Sequence, residues 1–200
     1  MPLRSVCVFC ASNLGRSDVF ADAARRLGTE LARRDITLVY GGASVGLMGV
    51  LADTVLDGGG EVVGVITEPL VAREIAHGGL TELLVVDTMA RRKATMAARS
   101  DAFVMLPGGY GTLDEFFEMV TWAQLHLHDK PCGILDVDDY FDGLLTFLAR
   151  GVDEQLLRAE HRAMLVVDTE PAALLDRLAD ADPTPAGKWF EPPGSARPPA

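Results

Sequence analysis

Seven short apolar runs, at residues 5–10, 36–40, 61–66, 82–87, 101–106, 132–137 and 164–167, alternate with stretches of helical period. Those stretches fall at 18–34, 46–57, 89–100, 112–127, 139–150 and 170–180. The runs are rich in Val, Ile, Leu and Phe, as strands covered on both faces are. Strands that alternate with helices build βαβ units, whose crossovers are right-handed and whose sheet is mostly parallel. The expected fold is α/β and doubly wound. Ser17, just ahead of Asp18, is placed to cap the first helix.

Two hundred residues suffice for one such domain, expected over 1–180. Residues 181–200 hold six of the eleven prolines and read as a tail. With 18 basic and 29 acidic residues the net charge is −11, which repels phosphate backbones and argues against nucleic acid as a partner. No apolar run approaches the ~18 residues of a membrane span. The segment Val6–Ala11 is too short for a secretory signal and reads as the first strand. Three cysteines make no disulfide framework, so a reducing, cytoplasmic setting is expected. Cys7 and Cys10 form a C-x-x-C, but residues three apart on a strand point to opposite faces, which favours two buried thiols over a redox pair.

Chemistry concentrates in two glycine loops. Gly41-Gly42-Ala43-Ser44-Val45-Gly46-Leu47-Met48-Gly49 follows the second strand, and Pro107-Gly108-Gly109-Tyr110-Gly111-Thr112 follows the fifth. Both leave the carboxyl end of a parallel strand and enter a helix, which is the ligand edge of an open α/β sheet. Unpaired amides and the helix dipole there attract an anion. No Lys-Ser/Thr follows the glycines, and the dinucleotide spacing fails at Ser44, so a nucleoside monophosphate suits the loops better than ATP or NAD.

A cationic cluster, Arg91, Arg92, Lys93 and Arg99, precedes the second loop's strand. It reads either as a solvated helix face or as a clamp for phosphate and ribose. Thr112-x-x-Glu115 has the form of a capping box, so Glu115 is a cap, a contact to bound ribose, or both. His126 and His128 lack a third ligand at metal-binding spacing. No lysine stands in a recognisable Schiff-base context.

The run from Pro107 to Glu115 resembles the P-G-G-x-G-T-x-x-E signature of the LONELY GUY family. Met89-Ala90-Arg91-Arg92-Lys93 is similar to that family's second motif, and so are the stretches 39–49 and 122–131. The similarity spans about residues 5–180. It implies a Rossmann-like fold, a homodimer or higher assembly, and hydrolysis of cytokinin riboside 5′-monophosphates, or AMP, to free base and ribose 5-phosphate. No metal or cofactor is implied. By motif position Glu115 and Arg92 would be catalytic. Gly108, Gly109, Gly111 and Thr112 would hold the phosphate, with Lys93, Gly42, Ser12, Arg73 and Glu74 completing the substrate site. Ala11, Ala43, Ala90 and Thr67-Glu68 depart from the family pattern around the pocket, which bears on the choice of base. A nucleotide-binding module without turnover is the alternative, although binding alone has no need of the carboxylate. The helix at 112–127 is apolar almost all round, through Phe116, Phe117, Met119, Val120 and Trp122, and so is expected at the interface between copies.

Overall fold

The computed structural model describes residues 3–71 and 75–181. The strands are β1 (Ser5–Phe9), β2 (Thr37–Tyr40), β3 (Val62–Thr67), β4 (Glu82–Val86), β5 (Ala102–Met105), β6 (Cys132–Leu135) and β7 (Leu165–Asp168). They form one parallel sheet in the order β4-β3-β2-β1-β5-β6-β7. All seven expected strands are present. Of the expected tail, residues 182–200 lie outside the described residues.

The helices are α1 (Asp18–Arg33), α2 (Gly46–Asp57), α3 (Glu68–Val71), α4 (Met89–Ala98), α5 (Tyr110–Gln124), α6 (Asp142–Asp153), α7 (Ala159–Ala163) and α8 (Pro171–Ala179). Ser17 caps α1 by accepting from the Val19 amide. The short α3 and α7 were not expected, since four or five residues cannot display a helical period. No helix among the described residues is long and apolar enough to cross a membrane.

Each face of the sheet carries its own core. Val6, Val8, Leu38 and Tyr40 pack under α1, α2 and α8, whereas Cys7, Phe9, Val39, Phe103 and Met105 pack on the face of α4 and α5. This alternation along each strand is the period of two that a doubly covered strand must have. It also sends Cys7 and Cys10 into different cores, so the C-x-x-C is no redox pair.

The sheet order places the topological switch between β1 and β5. From β1 the chain winds outward through β2, β3 and β4, and from β5 it winds the other way through β6 and β7. Loops at the carboxyl ends of β1 and β5 therefore diverge and leave a crevice, where open α/β sheets bind their ligands.

Candidate active site

A cleft of about 280 Å³ occupies that crevice. Its walls are Cys10–Asn13 after β1, Met48 in the first turn of α2, Arg92 of α4, and Gly109–Thr112 with Glu115 of α5. Backbone bonds tie the loops together: Ala11 N–H donates to Pro107 O at 3.1 Å, and Leu47 N–H to Ala11 O at 3.1 Å.

The start of α5 corrects one expectation. Its N-cap is Gly109, with no side-chain cap, and the first intrahelical bond runs from Leu113 N–H to Gly109 O at 3.0 Å. Thr112 thus sits inside the first turn, and Thr112-x-x-Glu115 is not a capping box. A helix leaves its first four amides without intrahelical partners. Here those belong to Gly109, Tyr110, Gly111 and Thr112, the same four residues that line the cleft. Four free amides at the positive end of a helix make a seat for a phosphate.

The two glycine loops, equal on paper, have different tasks. In the first, Gly42 and Gly46 have φ of +74° and +61°, which side chains rarely adopt. A Cβ on Gly46 would overlap the Ser12 backbone, and one on Gly41 would overlap Arg92 Nη2. That loop needs glycine so that protein can approach protein. In the second, Gly108 is likewise forced, because Thr112 Cβ lies 2.7 Å from where its Cβ would be. A Cβ on Gly109 or Gly111 would meet no protein atom within 4 Å. The space beside them faces the cleft.

Arg92, at 5% exposure, is the one member of the cationic cluster that lines the cleft. Its Nε–H donates to Val65 O at 2.7 Å, Nη2–H to Gly41 O at 3.3 Å, and Nη1–H donates to Glu115 Oε1 in an ion pair. The guanidinium is thereby pinned to the end of β3, to the first glycine loop and to α5. Its remaining business in the cleft is to hold the Glu115 carboxylate, whose side chain is 14% exposed.

The other cations face elsewhere. Lys93 lies outside the cleft lining, its ammonium on Glu118 at 2.8 Å and Asp114 at 3.1 Å. Those two carboxylates, Glu118 foremost, raise its pKa. Arg91 is exposed, and Arg99 pairs with Glu82. Gly42 is buried beside Ile66, with its carbonyl accepting from His77 N–H. Ser12 lines the cleft, whereas Arg73 and Glu74 lie outside the described residues. His128 uses both ring nitrogens, Nε2 toward Met119 O and Nδ1 toward Lys130 N–H, which leaves it no lone pair for a metal.

Sequence reasoning missed Cys10, Asn13, Met48 and Tyr110 as cleft residues. Tyr110 carried a signal, an aromatic between two glycines, and it is 95% exposed at the rim. Asn13 carried none. Burial first, and then the Glu115 charge, push the Cys10 thiol up, so it stays protonated and is a poor nucleophile.

The model of a protein family described as possible lysine decarboxylase matches residues 48–178. A probable cytokinin riboside 5′-monophosphate phosphoribohydrolase of Oryza sativa subsp. japonica is 53% identical over 173 residues, 86% of this chain and 78% of that protein. A cytokinin riboside 5′-monophosphate phosphoribohydrolase of Arabidopsis thaliana is 46% identical over 180 residues, 90% of this chain and 84% of that one. Among solved structures, the molybdenum cofactor binding protein of Rippkaea orientalis matches with a TM-score of 0.67 at 17% identity, over 90% of this chain and 98% of its own. The molybdenum cofactor carrier protein of Chlamydomonas reinhardtii matches at 0.65 and 20% identity, over 88% and 98%. At such identities the likeness shows the fold alone.

Proposed function

Because the chain belongs to the LONELY GUY family, we propose that it is a phosphoribohydrolase cleaving the N-glycosidic bond of cytokinin riboside 5′-monophosphates, with AMP as a slower substrate. The observation that carries this reading is the Glu115 carboxylate, held by a buried arginine one turn below four unpaired helix amides. A 5′-phosphate seated on Gly109–Thr112 hangs the ribose toward that carboxylate. Binding energy from the phosphate, remote from the breaking bond, then orients the sugar.

In the reaction the electron pair of the glycosidic bond leaves with the purine, which takes up a proton, and water adds to C1′. Positive charge builds on the ribose as the bond stretches, as in other glycosyl transfers. Glu115 faces that charge and accepts the proton from the attacking water. Arg92 keeps the carboxylate aimed.

We place two further features in the same reading. The protein works as a homodimer whose interface takes in α5 and α6. Leu113, Phe117 and Val120 of α5 are half-buried, α6 has no fully buried residue, and Phe147 on it is 70% exposed. It works in the cytoplasm, where Cys7, Cys10 and Cys132 remain free thiols.

The test is base release from isopentenyladenosine 5′-monophosphate, AMP and the unphosphorylated riboside, followed chromatographically. Release from the first, less from the second and least from the third is expected. Equal rates with and without phosphate would remove the phosphate seat from the reading. No release from any of them would leave a binding module.

A further inference from the structure

The peptide between Gly108 and Gly109 enters the phosphate seat with glycine on both sides. Gly108 is imposed by Thr112, whereas a Cβ on Gly109 would meet no protein atom within 4 Å. Two adjacent glycines allow the intervening peptide plane to turn over cheaply. In a trans peptide the C=O and the following N–H point opposite ways, so such a turn would swing the Gly109 amide out of the seat.

One side chain bonds to this peptide. Tyr140 Oη–H donates to Gly108 O at 2.9 Å. The ring is 47% exposed, so core packing does not account for it. It is held by edge-to-face contacts, to Phe141 at 5.0 Å and 89° and to Phe20 of α1 at 5.6 Å and 77°. Phe20 in turn closes over Gly15, where its ring would lie 2.8 Å from an added Cβ. The preceding turn is unusual: Asp138 and Asp139 both have left-handed φ, +54° and +55°. It is fixed by Asp136 Oδ1, which accepts from Phe141 N–H at 3.0 Å, and by Tyr140 N–H on Val137 O at 3.1 Å. Strained backbone of this kind persists where the surroundings insist on it, and often beside a site. Here it delivers one hydroxyl to one carbonyl.

We propose that Tyr140 is a positioning residue of the phosphate seat. Its hydroxyl pins the Gly108 carbonyl and thereby aims the Gly109 amide at the ligand's phosphate. The inference rests on the reading of Gly109–Thr112 as that seat.

Tyr140→Phe keeps the ring and removes only the hydroxyl. Titration with ribose 5-phosphate should show the dissociation constant rising about fivefold to tenfold, the scale of one neutral hydrogen bond. KM for isopentenyladenosine 5′-monophosphate should rise in parallel while kcat stays within about twofold, a split that a general loosening of the fold would not give. An unchanged dissociation constant, or a fall in kcat at constant KM, overturns the proposal. A wild type that does not bind ribose 5-phosphate removes the seat, and this inference with it. Because the titration needs no turnover, a wild type that binds ribose 5-phosphate but releases no base overturns the hydrolase reading alone.

Discussion

Gly41→Ala should disable the cleft without changing a charge or replacing a residue that lines it. Gly41 has no left-handed φ, so its backbone accommodates alanine, and the loss of unfolded-state entropy would favour the variant by up to ~1 kcal/mol. The obstacle is Arg92. A Cβ on Gly41 overlaps Nη2 and comes within 3.6 Å of Cζ and 3.1 Å of Met48 Sδ. Met48 is flexible and yields. The guanidinium, gripped by Val65 O and Glu115, must withdraw by roughly 1 Å to restore normal contact. That breaks its bond to Gly41 O and skews the other two around a guanidinium whose residue is only 5% exposed. One unsatisfied buried donor costs about 1–3 kcal/mol, a fall in melting temperature of roughly 2–12 °C for a domain of this size. The kinetic effect is larger, because misplacing a positioned group by ~1 Å can cost on the order of 100-fold in rate. Base release and thermal melting on the purified variant measure both. A kcat/KM within about threefold of wild type would refute the claim that Arg92 aims Glu115 from a fixed position.

Glu115→Gln should lower turnover at least ~100-fold while ribose 5-phosphate still binds within a few-fold of wild type. Its stability, read by urea unfolding, should fall by about 1–3 kcal/mol, short of the full cost of stripping a buried pair because glutamine still accepts from Arg92. Near-normal turnover would leave the site without its carboxylate. Gly111→Ala should melt at or slightly above the wild-type temperature, since its Cβ meets no protein atom and alanine favours helix. It should bind ribose 5-phosphate about tenfold or more weakly, and unweakened binding would move the phosphate elsewhere. Burial lowers the His128 pKa in the fold, even though its ring bonds to Met119 O. The unfolded chain takes up that proton near pH 6.5 and the fold only at lower pH. The contribution to stability is thus whole above about pH 6.5 and is lost as pH falls through the folded value. Denaturation midpoints should drop as pH falls below about 6.5, less steeply in His128→Gln, and equal slopes would exclude His128 as the cause.

The strands and the six longer helices were readable because period and composition agree over each of them. Local chemistry misled at the start of α5. Thr112 and Glu115 stand at capping-box spacing, but the helix begins two residues earlier, where Gly109 can take a φ of −100° and ψ of −148°. Nor could sequence separate Arg91, Arg92 and Lys93. Neighbours on a helix point about 100° apart, so only the packing of α4 against β3 and α5 decides which cation is buried. The glycines of the first loop also meet protein neighbours that their spacing alone does not name: Arg92 beside Gly41, Ser12 behind Gly46 and Ser44 behind Gly49.

What separates a hydrolase from a binding module on this fold is therefore a matter of cost. Unpaired amides come with any helix that starts at the switch point. A buried ion pair does not, because desolvating a guanidinium and a carboxylate opposes folding and their attraction seldom more than repays it. Arg92 commits three of its five N–H groups to two carbonyls and Glu115, including one on each terminal nitrogen of the planar fork with which arginine usually grips phosphate. Such an arginine would be wasted in a protein that only held a nucleotide. It makes sense where a carboxylate must stand at a fixed place, beside a sugar on which positive charge is about to appear.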